Sequence, residues 1–145
     1  GIGLYGGGPV PPAHVTLLPG MTLEAPILTV QHVQAGEAAG YGAEWTFDTP
    51  RRLATVALGY GDGFPRSASN RGYASLGGHR CPIVGRVSMD LITIDVTTAG
   101  PLAKPGAFAQ FIGPEVPLED QAKRAGTVGY ELVTGLGHRV RRIYE

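Results

Sequence analysis

Tyr41 sits between Gly40 and Gly42 in the stretch GYGAEW, and Tyr60 sits between Gly59 and Gly61 in GYGDGF. Tyr130 also follows a glycine, Gly129. Glycine strips side-chain bulk from around a ring and lets the backbone approach something closely. A phenol presented in this way can hydrogen-bond a ligand or take part in proton transfer. The commoner explanation is structural, because aromatics cover strand glycines across a hairpin and their hydroxyls take backbone partners. Arg66, Arg86 and the pair Met89-Asp90 in RVSMD complete the set of side chains with chemistry to offer. Guanidinium forks suit carboxylates. By default, however, arginines are solvated charges, a methionine fills core space and a turn aspartate caps a backbone amide.

Other chemistries find less support. His14, His32, His79 and His138 lie far apart, and no HExxH, CxxC or DxDxDG pattern is present, which argues against a metal centre. There is no GxSxG elbow, and YGGGP lacks the Lys-Ser/Thr that would make it a phosphate loop. Twelve basic residues balance twelve acidic ones without a basic run, so a dedicated nucleic-acid surface is not expected. No apolar run approaches a membrane span. The single cysteine, Cys81, rules out an internal disulfide framework and fits a reducing cytoplasm; beside Pro82-Ile83-Val84 it reads as a buried strand thiol.

These residues need a scaffold. The 145 residues, 43% hydrophobic, suit one domain with a real core. Glycine (23) and proline (12) punctuate short apolar runs, the pattern of an all-β sandwich or barrel. Strands are predicted over 23–33, 52–60, 82–89, 91–97 and 107–113, with turns at Asp62-Gly63 and Gly77-Gly78. The tail differs. Pro117 opens a short helix with acids first, bases last and Gly126 as its stop, and Thr127 is placed to cap a second over 128–137. A last strand is predicted over 139–144. The expected class is mainly β, a barrel-like domain of short strands with two short helices near the C-terminus. Residues 1–6 read as a strand standing apart, followed by a linker at about 7–20. With no initiator Met, the chain reads as a piece of something larger.

GYGAEW, GYGDGFPR, PIVGRVSMD followed by ITIDVT, and GTVGYELVTGLGHRVRRIY occur in this order. Together they resemble the carboxy-terminal domain of the pyridoxal-phosphate-dependent alanine racemases, over essentially the whole chain. The resemblance implies a remnant of the last strand of an amino-terminal (β/α)8 barrel plus linker at 1–20 and the carboxy-terminal β domain at 21–145. It implies pyridoxal 5'-phosphate held mainly by the missing barrel domain, a head-to-tail homodimer, an amino-acid substrate, and supply of D-alanine for peptidoglycan. Because the family's cofactor lysine lies far upstream, neither Lys104 nor Lys123 matches it, and the chain alone is expected to be inactive.

Residue by residue, Tyr41 matches the family's second catalytic base. Free tyrosine titrates near pH 10, so its anion must be stabilised to serve at neutral pH; in the family a His–Arg pair of the barrel domain does this. Tyr60, Arg66 and Arg86 match residues lining the substrate corridor, Met89 matches a residue whose backbone contacts the substrate carboxylate, and Asp90, also placed at the substrate site, matches its active-site neighbour. Tyr130 matches a tyrosine bonding the cofactor phosphate, and Gly1 and Ile2 match amides of the phosphate cup. Two departures stand out. Gly61 replaces a common alanine, and Phe64 replaces a common Tyr or Trp, with an expected effect on corridor packing. The alternatives are a non-catalytic β docking module, a racemase for serine or another amino acid, and a related decarboxylase with the same domain plan.

Overall fold

The computed structural model describes residues 1–8, 17–39 and 45–145. β1 (Leu23–Val33) buries Leu23, Ala25 and Ile27 on one face while Glu24 points out, the period of two that a half-buried strand requires. The alternation breaks after Leu28, where Thr29 is exposed as well. There Ile27 pairs with Val56 but Thr29 with Thr55, so Leu28 is an extra, bulged residue. Before the bulge β1 pairs with β8 (Phe108–Ile112), and after it with β4 (Arg51–Val56). The kink lets one long strand turn a barrel corner.

β5 (Tyr73–Leu76), β6 (His79–Pro82) and β7 (Ile92–Asp95) complete an antiparallel sheet in the order β6-β5-β8-β1-β4-β7. Just beyond β6, Ile83 bridges to Ile94, and the Val84 amide donates to the Thr93 carbonyl at 2.9 Å, so the two edges nearly meet. Six strands curl into a nearly closed barrel, which hides the edges an open sheet would expose. A small ribbon, β2 (Ala38–Ala39) with β3 (Trp45–Thr46), projects from the end of β1.

The core is aliphatic, with Phe64 and Phe111 meeting edge-on at 5.3 Å between ring centroids. α1 (Leu118–Arg124) and α2 (Gly129–Gly135) follow the last strand. Gln121 on α1 is completely buried, yet its amide is satisfied. Nε2 donates to the carbonyls of Tyr73 and Phe111, both at 2.8 Å, and Oε1 accepts from the Tyr73 amide at 3.3 Å. This side chain stitches α1 across β5 and β8, as a buried polar group must be stitched to something. Nearby, the buried Tyr73 ring lies under Arg80 and Arg124 while its hydroxyl donates to Asp120. That hydrogen bond, with help from Arg124, holds the Asp120 carboxyl below its ordinary range, against the opposing effect of partial burial.

The mainly β class and the two C-terminal helices agree with the sequence reading, and Gly77-Gly78 turns the β5–β6 hairpin with positive φ at both positions. Four local expectations fail. Residues 84–89 do not form a strand. Asn70 Oδ1 takes the Gly85 amide at 2.6 Å and Ser69 Oγ takes that of Val87 at 2.9 Å, so side chains replace the ladder. Residues 139–144 find no strand partner among the described residues, and Arg142 instead donates to the carbonyls of Leu136, Gly137 and Val140. α2 is preceded by Val128, without a Thr127 side-chain cap. Ile2–Tyr5 form a 3₁₀ turn rather than a strand, with Ile2 buried in the main core. Most of the expected linker, 9–16, lies outside the described residues.

Two measurements check this packing. Phe111→Ala removes half of the edge-on pair from a fully buried site and should lower unfolding free energy by about 3–5 kcal/mol in denaturant titration. Burial pushes the Cys81 thiol up to about 12. A thiol reagent at pH 8 should therefore leave the native chain unlabelled and label it once denaturant unfolds it.

Candidate active site

The loop Gly59–Gly63 and the loop 88–90 lie backbone against backbone. The Tyr60 amide donates to the Ser88 carbonyl at 3.0 Å, and the Gly61 amide to the Met89 carbonyl at 2.8 Å. A Cβ at Gly59 would stand 2.3 Å from the Met89 carbonyl oxygen, and one at Gly61 2.9 Å from the same atom. At position 59, where the Cβ would meet only backbone, no residue but glycine permits that contact. The glycines flanking Tyr60 therefore serve the neighbouring backbone as much as the ring. Gly63, with φ 99°, takes the turn a left-handed residue requires, and a Cβ there would meet the Gly135 carbonyl at 2.0 Å.

This pairing brings Tyr60, Met89 and Asp90 together. All three side chains are exposed, Tyr60 at 47% and Met89 at 51%. Asp62 stands behind them, mostly buried, with Oδ2 accepting the Gly59 amide at 2.9 Å and Oδ1 facing Arg139 Nε at 3.1 Å. Arg139 Nη2 reaches Asp90 Oδ1 at 2.7 Å. The hydrogen bond to Asp90, then the charge of Asp62, raise the Arg139 pKa above its ordinary value.

Tyr130, exposed on α2, lies beside the start of the chain: a Cβ built on Gly1 would sit 3.7 Å from its hydroxyl. Tyr130 and Gly1 thus form one small group, whereas the Ile2 side chain turns into the core. Glu119 pins the same segment, accepting the Gly8 amide at 3.1 Å.

Arg66 and Arg86 line a separate open cleft of about 560 Å³ with Ser67, Ser69, Asn70 and Arg71. Asn70, the one non-glycine residue with positive φ among those described (56°), also lines this cleft and receives the Gly85 amide. Phe64, expected to influence corridor packing, is 1% exposed against Phe111 and belongs to the core instead. Tyr41 lies outside the described residues. Its chain neighbours on both sides, β2 and β3, pair with each other, and Phe47 just beyond β3 joins Val33, Leu53 and Val84 in a small cluster separate from the main core. Among the described residues no three metal-ligating side chains gather, and no helix is long and apolar enough to cross a membrane.

Residues 20–144 match the family model described as alanine racemase, C-terminal domain. The chain belongs to the alanine racemase C-terminal domain family. It is similar to the alanine racemase of Methylobacterium sp. (strain 4-46), 49% identical over 99% of this chain and 40% of that protein. It is also similar to the catabolic alanine racemase of Agrobacterium fabrum, 48% identical over 99% of this chain and 37% of that protein. Among solved structures, alanine racemase from Bartonella henselae with covalently bound pyridoxal phosphate superposes with a TM-score of 0.92 at 38% identity, covering all of this chain and 40% of that one. The biosynthetic alanine racemase from Pseudomonas aeruginosa gives 0.88 at 37% identity, over all of this chain and 41% of that one. The chain spans about two fifths of the length of these relatives.

Asp62 and Arg139, which tie the family's motif blocks together, were not singled out from sequence. Asp62 carried only a turn signal in GYGDG, and Arg139 stood unmarked in a basic tail. The loop contact makes a sharp prediction. Gly59→Ala must push the 88–90 backbone away and should destabilise the fold by about 1–3 kcal/mol, as overpacked sites do. Gly78→Ala, where a Cβ meets nothing within 4 Å but φ is 83°, should cost only about 1 kcal/mol for its backbone strain. Thermal melts of the two variants measure the difference.

Proposed function

We propose that this chain is the carboxy-terminal part of a pyridoxal-phosphate-dependent racemase that interconverts L- and D-alanine in the cytoplasm and supplies D-alanine for peptidoglycan. In this reading residues 1–20 end a (β/α)8 barrel domain and lead into the β domain of 21–145. The enzyme is a head-to-tail homodimer, in which each β domain completes the partner subunit's active site. The observation that carries the reading is near-complete coverage of the chain at almost half identity by alanine racemases.

Tyr41 is the proton-transferring group in this proposal. Racemisation removes the Cα proton from one face and returns one to the other, a task that suits two bases on opposite sides. A tyrosine can act near neutral pH only where its anion is stabilised by neighbouring positive charge. Tyr60, Met89 and Asp90 bound the substrate space, and Met89 offers its backbone to the substrate carboxylate. Arg66 and Arg86 draw a carboxylate inward with their guanidinium forks.

The residues present fit the phosphate end of the cofactor. The Tyr130 hydroxyl stands next to Gly1, so that hydroxyl and the amides of Gly1 and Ile2 would hold a phosphate between them. When bound, the cofactor supplies the electron sink that stabilises the carbanion formed at Cα. This chain holds and orients that end, while the cofactor lysine belongs to the barrel domain.

The test is made in a full-length enzyme carrying this chain. Tyr41→Phe keeps the ring but removes the hydroxyl, and racemisation of L-alanine should fall by at least about a hundredfold. A parental rate would remove Tyr41 from the reaction. The isolated chain, mixed with pyridoxal phosphate and L-alanine, should produce no D-alanine in a polarimetric or chiral-chromatography assay. Production of D-alanine by it would place the whole chemistry on these residues.

A further inference from the structure

We infer that Arg139 is a positioning residue that locks the Tyr60 loop and the Met89-Asp90 loop into one rigid rim through simultaneous ion pairs to Asp62 and Asp90. Its catalytic consequence rests on the racemase reading above; its structural consequence does not.

Three observations converge on this side chain. The first is the double pairing itself. Nε faces Asp62 Oδ1 at 3.1 Å, and Nη2 faces Asp90 Oδ1 at 2.7 Å, so one planar fork spans carboxylates from two different loops. Lysine, a single point charge, cannot reproduce that geometry. The second is the state of Asp62. Its carboxylate is mostly buried and already bonded to the Gly59 amide, so it needs a counter-charge, and Arg139 provides it. The third is the route of the chain. Leaving α2, it runs back over the Tyr60 loop, where the Gly137 amide donates to the Asp62 carbonyl at 2.9 Å. Arg139 is thereby delivered to the junction by the same segment that begins with Tyr130.

The arrangement also accounts for Gly61. A Cβ at that position would stand 2.7 Å from Arg139 Nη1 and 3.2 Å from Met89 Cγ. Where the family resemblance leads one to expect alanine, this chain leaves room for the guanidinium and for Met89 together.

The two loops are already joined by hydrogen bonds from the Tyr60 and Gly61 amides. Arg139 adds the constraint on their outer ends, where Tyr60, Met89 and Asp90 face outward. Loosening it should therefore change how well a small carboxylate-bearing substrate is held, more than how fast a held substrate reacts.

Two experiments decide this. In the chain as given, hydrogen exchange of the Tyr60 and Gly61 amides should quicken in Arg139→Gln by roughly three- to tenfold, the range for a partly exposed charged pair, while strand β4 amides keep their protection. In a full-length enzyme carrying this chain, the same substitution should raise KM for alanine by roughly three- to tenfold and leave kcat within about twofold. Arg139→Lys should fall between parent and Arg139→Gln in both measurements. Should Arg139→Gln fail to fold, Asp90→Asn, which releases only the outer link, should show the same faster exchange at Gly61. Parental exchange at Tyr60 and Gly61 in Arg139→Gln, or in Asp90→Asn if that variant must stand in, overturns the lock. Faster exchange with a parental KM overturns its catalytic role. A full-length parent that does not racemise alanine would instead refute the proposed function, leaving the exchange result to judge Arg139.

Discussion

Gly59 and Gly61 let the 59–63 loop lie directly on the backbone of residues 88–90, and much of the candidate site depends on that contact. The hydrogen bonds from Tyr60 and Gly61 to the Ser88 and Met89 carbonyls set the register of one loop on the other. Any side chain at position 59 would part them. Tyr60, Met89 and Asp90 point outward together because their main chains have no room to move apart. A site built on backbone contacts is stiffer than one built on flexible side chains.

The barrel supplies the footing for both loops. Residues 57–58 continue from β4 into the Tyr60 loop, and Leu91 leads from Asp90 into β7, its neighbour in the sheet. The two loops therefore lie at one end of a pair of adjacent antiparallel strands, one leaving β4 and the other entering β7, and the Thr55–Thr93 and Val56–Ile92 pairs fix how they join the barrel. Gln121 ties α1 to β5 and β8, and the chain leaving α2 returns to the Tyr60 loop, where the Gly137 amide donates to the Asp62 carbonyl. Fold and site are coupled through short connections, with little slack for independent motion.

Charge finishes what packing begins. Asp62 is too buried to tolerate isolation, and Arg139 reaches it from a segment more than seventy residues later in the chain. Arg66, Arg71 and Arg86 gather in a second place, the cleft they line together with Asn70. The acidic–basic lock on the rim and the basic cleft are thus two separate charged places among the described residues.

Sequence by itself determined the period-two burial of β1, the glycine turn at 77–78, the two closing helices and the buried state of Cys81, because each depends on neighbours only a few residues away. Its ordered motifs also determined the family. The tertiary structure decided that 84–89 is a braced loop and not a strand, since Asn70 and Ser69 arrive from another part of the chain to take its amides. It decided that Phe64 packs inward, and that the glycines around Tyr60 answer to the Met89 backbone. It decided as well that Arg139, anonymous in its basic tail, joins two carboxylates. Hydrogen bonds and ion pairs form between groups that meet in space, and a linear pattern carries no record of which distant backbone will occupy the room a glycine leaves open.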